Sequence, residues 1–257
     1  MNPAWRGFFD EIAQWRDAGR LADFWWRDDD ACRPDPALER LCALAEGAAT
    51  PLALAVIPAD VQAAALACAG SGVTLLQHGV DHRNRAPPGD KKTEFAASEL
   101  LPDALARLAQ GRVRLEQVAG GGRVLPVLVP PWNRISAPRL LDQLAGAGYR
   151  GVSAFGARQS PYAAAGLLMV NTHVDIIDWR GRRGFVGEDI ALDQATRRLR
   201  AQRNGRADAD ESTGWLTHHA VHDEASWAFM ERLLDYTRER AGVRWRSATE
   251  LFGQPPA

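Results

Sequence analysis

Three adjacent carboxylates, Asp28, Asp29 and Asp30, follow an apolar segment near the start of the 257-residue chain. Two like charges about 4 Å apart repel each other by roughly 4 kcal/mol at an effective dielectric near 20. Inside a cleft, a divalent cation or an arginine would remove this repulsion. The alternative is an acidic turn exposed to solvent, where water screens the charges and no cation or arginine is needed. The apolar lead-in FWW places the first aspartate at the edge of a buried strand, and this favours a cleft with a positively charged partner.

His78 and His82 form an H-x-x-x-H pair. Residues four apart lie on the same face of a helical turn, so the two imidazoles can bind one metal ion. The spacing alone also arises by chance. Two imidazoles and one carboxylate nevertheless make a ligand set suited to Zn²⁺ with an open position for water. A metal bound in this way turns water into a nucleophile at neutral pH.

The segment LTHHAVH contains His218, His219 and His222. A histidine whose pKa is near its ordinary value of about 6.5 can protonate a leaving group at neutral pH. A hydrogen-bonded structural residue is the alternative for His218. We expect one of His219 and His222 to be of that structural kind.

Short apolar segments that alternate with helical segments position these polar residues. Strands are predicted at 23–27, 52–57, 73–77, 124–129, 151–154, 167–172, 214–218 and 243–246. Helices are predicted at 35–46, 59–69, 95–118, 137–147, 188–203 and 224–240, with the third broken near Pro102 and Gly111. Seven or eight such units predict an α/β fold, a (β/α) barrel of parallel strands with its active site at their carboxyl ends. All six histidines fall just past predicted strand ends, and no composition shift divides residues 1–257 into more than one domain.

Composition argues against several classes of protein. The formal net charge is −1, from 31 Lys and Arg against 32 Asp and Glu, so we expect no nucleic-acid binding through bulk positive charge. No apolar run of 18 residues predicts a membrane span, and the first residues do not have the pattern of a secretory signal. The three cysteines lack C-x-x-C spacing, which is typical of reduced cysteines in a cytoplasmic protein.

The ordered motifs RDDDA, HGVDH, VPPWN, VDIIDW and LTHH resemble those of the polysaccharide deacetylases of carbohydrate esterase family four, the NodB-homology group. The match spans Arg27 to His218, about three quarters of the chain. No single motif is decisive, but their order, spacing and common location at strand ends make the set fairly specific. The resemblance implies a distorted (β/α) barrel of about seven strands and the removal of N- or O-acetyl groups from sugars.

The resemblance also implies roles for individual residues. One aspartate of the first motif would bind a divalent metal together with His78 and His82, and its neighbour would be the general base. The backbone N–H near Trp132 would help to hold the oxyanion. His218 would protonate the leaving amine or alkoxide, and Asp175, in a D-x-x-x-W segment, would orient His218.

The chain departs from the family pattern in two motifs. The first motif has three aspartates where the family has two before a small residue. Aligning Ala31 with that small residue makes Asp29 the base and Asp30 the ligand, which we prefer; a shift by one makes these Asp28 and Asp29. The third motif begins with Val129 instead of the arginine that pairs with the base, so Arg134 or Arg27 would have to supply the charge.

These observations predict a metal-dependent hydrolase, with Zn²⁺ as the expected ion, that removes an acetyl group from an N- or O-acetylated sugar or oligosaccharide. A hydrolase acting on the C–N bond of a small non-sugar amide is one alternative. A weakly active, carbohydrate-binding relative is another, and the missing arginine favours it. Trp132 and Trp179 are candidate platforms for sugar rings. Cytoplasmic placement would favour a precursor or oligosaccharide over cell-wall polymer as the substrate.

Overall fold

A computed structural model describes residues 2–120 and 122–253, and within these ranges the chain forms seven α-helices and ten strands. In chain order they are α1 (Pro3–Asp17), β1 (Ala22–Ala31), α2 (Pro36–Gly47), β2 (Leu52–Val56), β3 (Val73–His78), α3 (Leu101–Ala119), β4 (Val124–Val129), α4 (Leu140–Leu144), β5 (Gly151–Val152), β6 (Tyr162–Ala164), β7 (Leu167–Met169), β8 (Val174–Asp175), α5 (Glu188–Arg203), β9 (Thr213–Thr217), α6 (Glu224–Thr237), β10 (Val243–Trp245) and α7 (Ala248–Phe252). Short 3₁₀ helices cover Ala63–Leu66, Pro131–Asn133 and His219–Val221.

The strands form one sheet in the order β6-β7-β5-β4-β3-β2-β1-β9-β8, with β10 paired to the start of β1. The pairs are parallel, apart from the antiparallel pair β6–β7. Only residues 170–173 separate β7 from β8, yet β7 pairs with β5 and β8 pairs with β9. In this stretch the Thr172 N–H donates to the Ala154 carbonyl (3.0 Å) and the His173 N–H to the Gly214 carbonyl (2.7 Å). The two ends of the sheet therefore approach each other here, which confirms the predicted distorted (β/α) barrel.

Apolar side chains pack in three regions around this sheet. One cluster fills the barrel interior and includes Trp25, Leu76, Val127 and Phe252. A larger cluster joins the outer face of β1, β2 and β9 to the helices α1, α2, α5 and α6, and a third lies under α3 and α4. Because the interior is filled with apolar side chains, polar side chains are left for the barrel ends, where a site can form.

The longest helix that the sequence pattern omits is α1. Its residues Trp5, Phe8, Ile12 and Trp15 recur at helical spacing and are buried in the larger cluster. On the same helix the buried Glu11 accepts a hydrogen bond from Arg203 Nε (2.7 Å) on α5. This helix therefore docks both through an apolar stripe and through an ion pair between the buried Glu11 and the partly exposed Arg203.

Two predicted helices differ from the structure for identifiable reasons. The segment 59–69 forms only a 3₁₀ helix, because its backbone groups bond to neighbouring loops: the Ala59 N–H donates to Val80 and the Gln62 N–H to Cys32. The helix predicted at 95–118 begins at Leu101 and runs unbroken through Gly111. Proline in the first turn of a helix leaves no hydrogen bond unmade, so Pro102 marks its start and does not interrupt it. Among the described residues, none of the helices combines the length and the hydropathy that a membrane-spanning segment needs.

Candidate metal centre

A β-bulge at the end of β1 divides the three aspartates between the two faces of the sheet. The register with β2 changes from Asp28 opposite Leu54 to Ala31 opposite Val56, so β1 carries one extra residue here. Asp30 has a φ of 77°, in the left-handed region. Bulges of this kind redirect side chains and are common beside active sites. As a result Asp29 and Asp30 both reach residues at the carboxyl end of the barrel, whereas Asp28 contacts a different set.

Asp30, His78 and His82 converge at that end of the barrel. Asp30 Oδ1 lies 3.1 Å from Nε2 of His78 and 3.3 Å from Nε2 of His82. One ligand atom from each of the three residues falls within 4.8 Å of the other two. His78 ends β3 and is buried, and His82 lies partly exposed on the following loop. The arrangement therefore has a closed side formed by the sheet and an open side facing solvent.

The hydrogen bonds around the cluster leave a lone pair of His78 Nε2 facing a lone pair of Asp30 Oδ1. His78 Nδ1 lies 3.0 Å from the Val129 carbonyl oxygen, which can only accept. In the neutral imidazole Nδ1 therefore carries the proton, and Nε2 presents its lone pair to Asp30. Among the described residues, Asp30 Oδ1 is buried and receives no hydrogen bond. Lone pairs at this distance are costly unless a positive charge lies between them.

The charges around the cluster attract such a positive charge. Burial lowers the pKa of His78, but the negative charges of Asp29 and Asp30 raise it by more. Burial and the nearby His78 lower the pKa of His82, so its Nε2 remains available to coordinate. A carboxylate and two imidazoles on an open cluster fit a divalent ion such as Zn²⁺.

Asp29 is held by Arg27, two residues earlier on the same strand. Arg27 donates from Nε to Oδ1 (2.8 Å) and from Nη2 to Oδ2 (3.0 Å) of Asp29, and both side chains are buried. The same guanidinium donates to Asn133 Oδ1 (2.7 Å) and Ser153 Oγ (2.6 Å). Residues two apart on a strand share a face, so the arginine and the carboxylate enter the barrel together. Of the two arginines considered as substitutes for the one missing at Val129, it is Arg27 that contacts Asp29.

Arg134 and Trp132 belong to the turn after β4. Arg134 Nη1 donates to the Lys92 carbonyl, 2.7 Å away, at the exposed rim. Trp132 has a φ of 55°, again in the left-handed region, and its ring lies on His82 with the two centroids 4.4 Å apart. Trp132 thus forms a wall beside the candidate ligands, while the Arg134 guanidinium is engaged elsewhere.

His218 follows β9, on the other side of β1. Its Nε2 lies 4.0 Å from Asp29 Oδ2, and Trp179 stands edge-on to its ring with centroids 4.7 Å apart. Asp175 accepts hydrogen bonds from the Ile177 N–H (3.0 Å) and from Trp179 Nε1 (2.8 Å). His218 Nδ1 is buried and has no hydrogen-bond partner in the described part of the chain. Asp175 therefore contacts Trp179, which in turn contacts His218.

Asp28 and His219 form a buried pair outside this cluster. His219 Nδ1 lies 2.5 Å from Asp28 Oδ1, and Thr217 Oγ1 donates to Asp28 Oδ2 (2.6 Å). Burial would raise the pKa of Asp28, but the charge and hydrogen bond of His219 lower it overall. His219 is thus the hydrogen-bonded structural histidine expected in the LTHHAVH segment, and the pair ties β1 to the residues after β9.

A second buried network surrounds Glu211, which the sequence motifs do not include. Glu211 Oε2 lies 3.1 Å from His173 Nε2 and accepts from Arg198 Nη2 (2.6 Å). Burial lowers the pKa of His173. Burial would raise the pKa of Glu211, but His173 and Arg198 lower it overall. His173 lies in the short link between β7 and β8 and pairs with Glu211 just before β9, so it belongs to this network and not to the candidate metal cluster.

Comparisons with known proteins agree with this architecture. No protein-family model matches the chain, and no curated protein matches it in sequence. Among solved structures, a T48 deacetylase with substrate is 19% identical, with 91% of this chain and 94% of that chain covered and a TM-score of 0.53. Peptidoglycan deacetylase PdaC from Bacillus subtilis is 15% identical, with 90% of each chain covered and a TM-score of 0.55. A family 4 acetyl xylan esterase from Clostridium thermocellum, in complex with a cobalt ion, is 15% identical, with 90% of each chain covered and a TM-score of 0.51.

The chain has the polysaccharide deacetylase fold. In this polysaccharide deacetylase fold, Asp30 and His78 lie at the carboxyl ends of β1 and β3, with Asp29 and His218 alongside. A candidate cation-binding cluster, a buried carboxylate and an imidazole next to an exposed tryptophan have the chemistry needed to bind an ion, accept a proton and donate one.

Proposed function

We propose that this protein is a metal-dependent deacetylase of carbohydrate esterase family four that removes an acetyl group from an N- or O-acetylated sugar or oligosaccharide. The observation that carries the proposal is the convergence of Asp30 Oδ1 with Nε2 of His78 (3.1 Å) and of His82 (3.3 Å), one ligand atom from each residue lying within 4.8 Å of the other two. The order of the five motifs and the similarity of the fold to deacetylases support it.

Asp30, His78 and His82 would hold the ion, which we propose to be Zn²⁺. When bound, a divalent ion polarises a carbonyl group and lowers the pKa of water. Asp29 would take the proton from the attacking water, and Arg27 would hold its carboxylate in place. The new bond joins the water oxygen to the acetyl carbon, and the bond from that carbon to the sugar nitrogen or oxygen breaks.

The remaining residues would act on the developing charges. The backbone N–H near Trp132 would donate to the acetyl oxygen as it becomes negative. His218 would pass a proton to the leaving nitrogen or oxygen, so that acetate and a free amine or hydroxyl are the products. Trp179 would hold His218 edge-on, with Asp175 fixing the indole through its Nε1. The exposed faces of Trp179 and Phe155, which are 40% and 45% exposed, would bind the sugar ring.

The Arg27–Asp29 pair bears on the alternative of a weakly active relative. That alternative arose because Val129 replaces the arginine of the third motif. A buried guanidinium already pairs with Asp29 through both oxygens. With that counter-charge present, the substitution at Val129 no longer argues for loss of catalysis.

The decisive experiment combines metal analysis with a substrate panel. We expect about one divalent ion per chain in the purified protein and acetate release from acetylated chito- or xylo-oligosaccharides. His78→Ala should lose both the ion and the activity, whereas His222→Gln, a control histidine that packs on Trp227, should keep both. Full activity in rigorously metal-free protein would overturn the proposal. Turnover only of non-sugar amides in the panel would favour the alternative substrate class.

A further inference from the structure

Glu94 is a fully buried carboxylate that lies against the loop carrying His82. Its oxygens accept hydrogen bonds from three consecutive backbone N–H groups: Val80 (2.9 Å), Asp81 (3.4 Å) and His82 (3.1 Å). Consecutive N–H groups that converge in this way form a concave site that favours an anion. Here the anion is a side chain of the same chain, 12 residues beyond His82.

The backbone of this loop needs such support because its conformation is unusual. His82 has a φ of 53° and Gly79 a φ of 56°, both in the left-handed region. A Cβ atom at Gly79 would overlap Glu94 Oε2 and the Pro131 ring, so the close approach of the loop to the carboxylate requires glycine. A non-glycine residue in the left-handed region is strained and persists where its surroundings hold it in that conformation.

The charge of Glu94 is itself balanced inside the protein. Arg107 Nη1 donates to Glu94 Oε1 (3.2 Å), and the same guanidinium pairs with Glu99 (2.7 Å). Within the described part of the chain, Glu99 accepts from Arg107 and makes no hydrogen bond to the loop. The two acidic residues thus share Arg107, but only Glu94 holds the backbone of residues 80–82.

We propose that Glu94 is a positioning residue that fixes His82 in the orientation needed to coordinate the metal. This inference rests on the proposed metal site. Gln at this position keeps the size of the side chain but replaces one acceptor oxygen with an NH₂ group that faces backbone donors. Partners outside the coordination sphere typically change metal affinity by about 10- to 100-fold. We therefore expect Glu94→Gln to weaken Zn²⁺ binding by about that factor.

The test measures metal affinity, not turnover. Zn²⁺ dissociation constants would be obtained by competition with a chromophoric chelator for wild type, Glu94→Gln and the matched control Glu99→Gln. The visible absorption spectrum of the Co²⁺-loaded proteins would report coordination geometry directly. Glu99→Gln should bind Zn²⁺ within about twofold of wild type and keep its Co²⁺ spectrum. Glu94→Gln should bind Zn²⁺ more weakly and show an altered Co²⁺ spectrum. We expect both changes even if the metal-free forms of Glu94→Gln and Glu99→Gln unfold at the same temperature.

The outcomes separate the two proposals. Equal Zn²⁺ affinity and equal Co²⁺ spectra in wild type and Glu94→Gln would overturn the role of Glu94 while leaving the metal site intact. Failure of wild type to bind either ion would overturn the proposed function, and this inference with it. If Glu94→Gln does not fold, Glu94→Asp provides the same test, because the shorter carboxylate keeps the charge but cannot reach all three N–H groups. Wild-type affinity and spectrum in that variant would equally refute the positioning role.

Discussion

Replacing Arg27 is the most informative perturbation of the candidate site, because this one side chain holds Asp29 and links it to two other parts of the barrel. Its guanidinium is fully buried and makes two hydrogen bonds to Asp29 and others to Asn133 and Ser153. Arg27→Met keeps much of the length of the side chain and removes the charge and every donor. Arg27→Lys keeps the charge but cannot reproduce the two-pronged geometry of the guanidinium.

The expected loss of stability follows from the burial of both partners. Removing one member of a buried ion pair costs about 3–5 kcal/mol, because the other charge stays buried without compensation. Domains of this kind are stable by about 5–15 kcal/mol in total, so Arg27→Met should still fold but unfold at a much lower urea concentration. Arg27→Lys should lose about 1–3 kcal/mol, corresponding to hydrogen bonds that the amine cannot make.

Activity should respond separately from stability. If Asp29 is the general base, loss of its orienting partner should lower kcat by about 10- to 100-fold at unchanged metal content. The assays are urea unfolding followed by far-ultraviolet circular dichroism, acetate release, and elemental analysis. Arg197→Met is the control: its side chain is 67% exposed and pairs with the exposed Asp193 one turn earlier on α5, so this variant should unfold at about the same urea concentration as wild type. Wild-type stability and kcat in Arg27→Met would refute this account of the pair.

Three further predictions concern the metal cluster, His218 and the buried Glu211 network. Removal of the ion with a chelator should abolish acetate release and lower the unfolding temperature, and added Zn²⁺ should restore both, since an ion that binds only the folded state stabilises it. His218→Gln should lower kcat by about 10²- to 10⁴-fold with metal content unchanged, as expected for a lost general acid; unchanged kcat would remove that role. Glu211→Gln should cost about 3–5 kcal/mol at pH 7, because Arg198 stays buried without its partner. The lowered pKa of Glu211 means that its contribution is present above its ordinary pKa of 4.5 and is lost as the pH falls, so the difference in unfolding free energy from wild type should shrink below that pH; a constant difference would contradict it.

Local patterns in the sequence were sufficient to predict the barrel and its longer strands and helices, but not its shortest strands or the conformation of residues 59–69. The strand 52–57 and the helix 188–203 coincide with β2 and α5 to within a residue, because each depends on its own apolar periodicity. β6 and β8 have three and two residues, too few for any periodicity to appear. The Ala-rich segment 59–69 had helical propensity, but tertiary hydrogen bonds to the loops after β1 and β3 took its backbone groups instead.

The three consecutive aspartates show where sequence reasoning about the site reached its limit. Strand alternation alone would put Asp28 and Asp30 on one face and Asp29 on the other. The bulge breaks that alternation and gives each carboxylate its own partner: His219 for Asp28, Arg27 for Asp29 and the two imidazoles for Asp30. A bulge of one residue has no signature in a run of identical residues, so the position of Ala31 favoured one register without establishing it.

The arginine that pairs with Asp29 comes from β1 and not from position 129, and the burial of Val129 explains why. Val129 is fully buried within the barrel cluster, and its carbonyl oxygen already orients His78. Arg27 enters the same interior from β1 and satisfies both oxygens of Asp29. A second arginine from position 129 would bring another buried charge toward Asp29, whose two oxygens already accept from Arg27, and a buried charge without its own partner is strongly unfavourable. The apolar residue at 129 therefore fits the presence of Arg27, and we regard the two positions as one coupled feature of this chain.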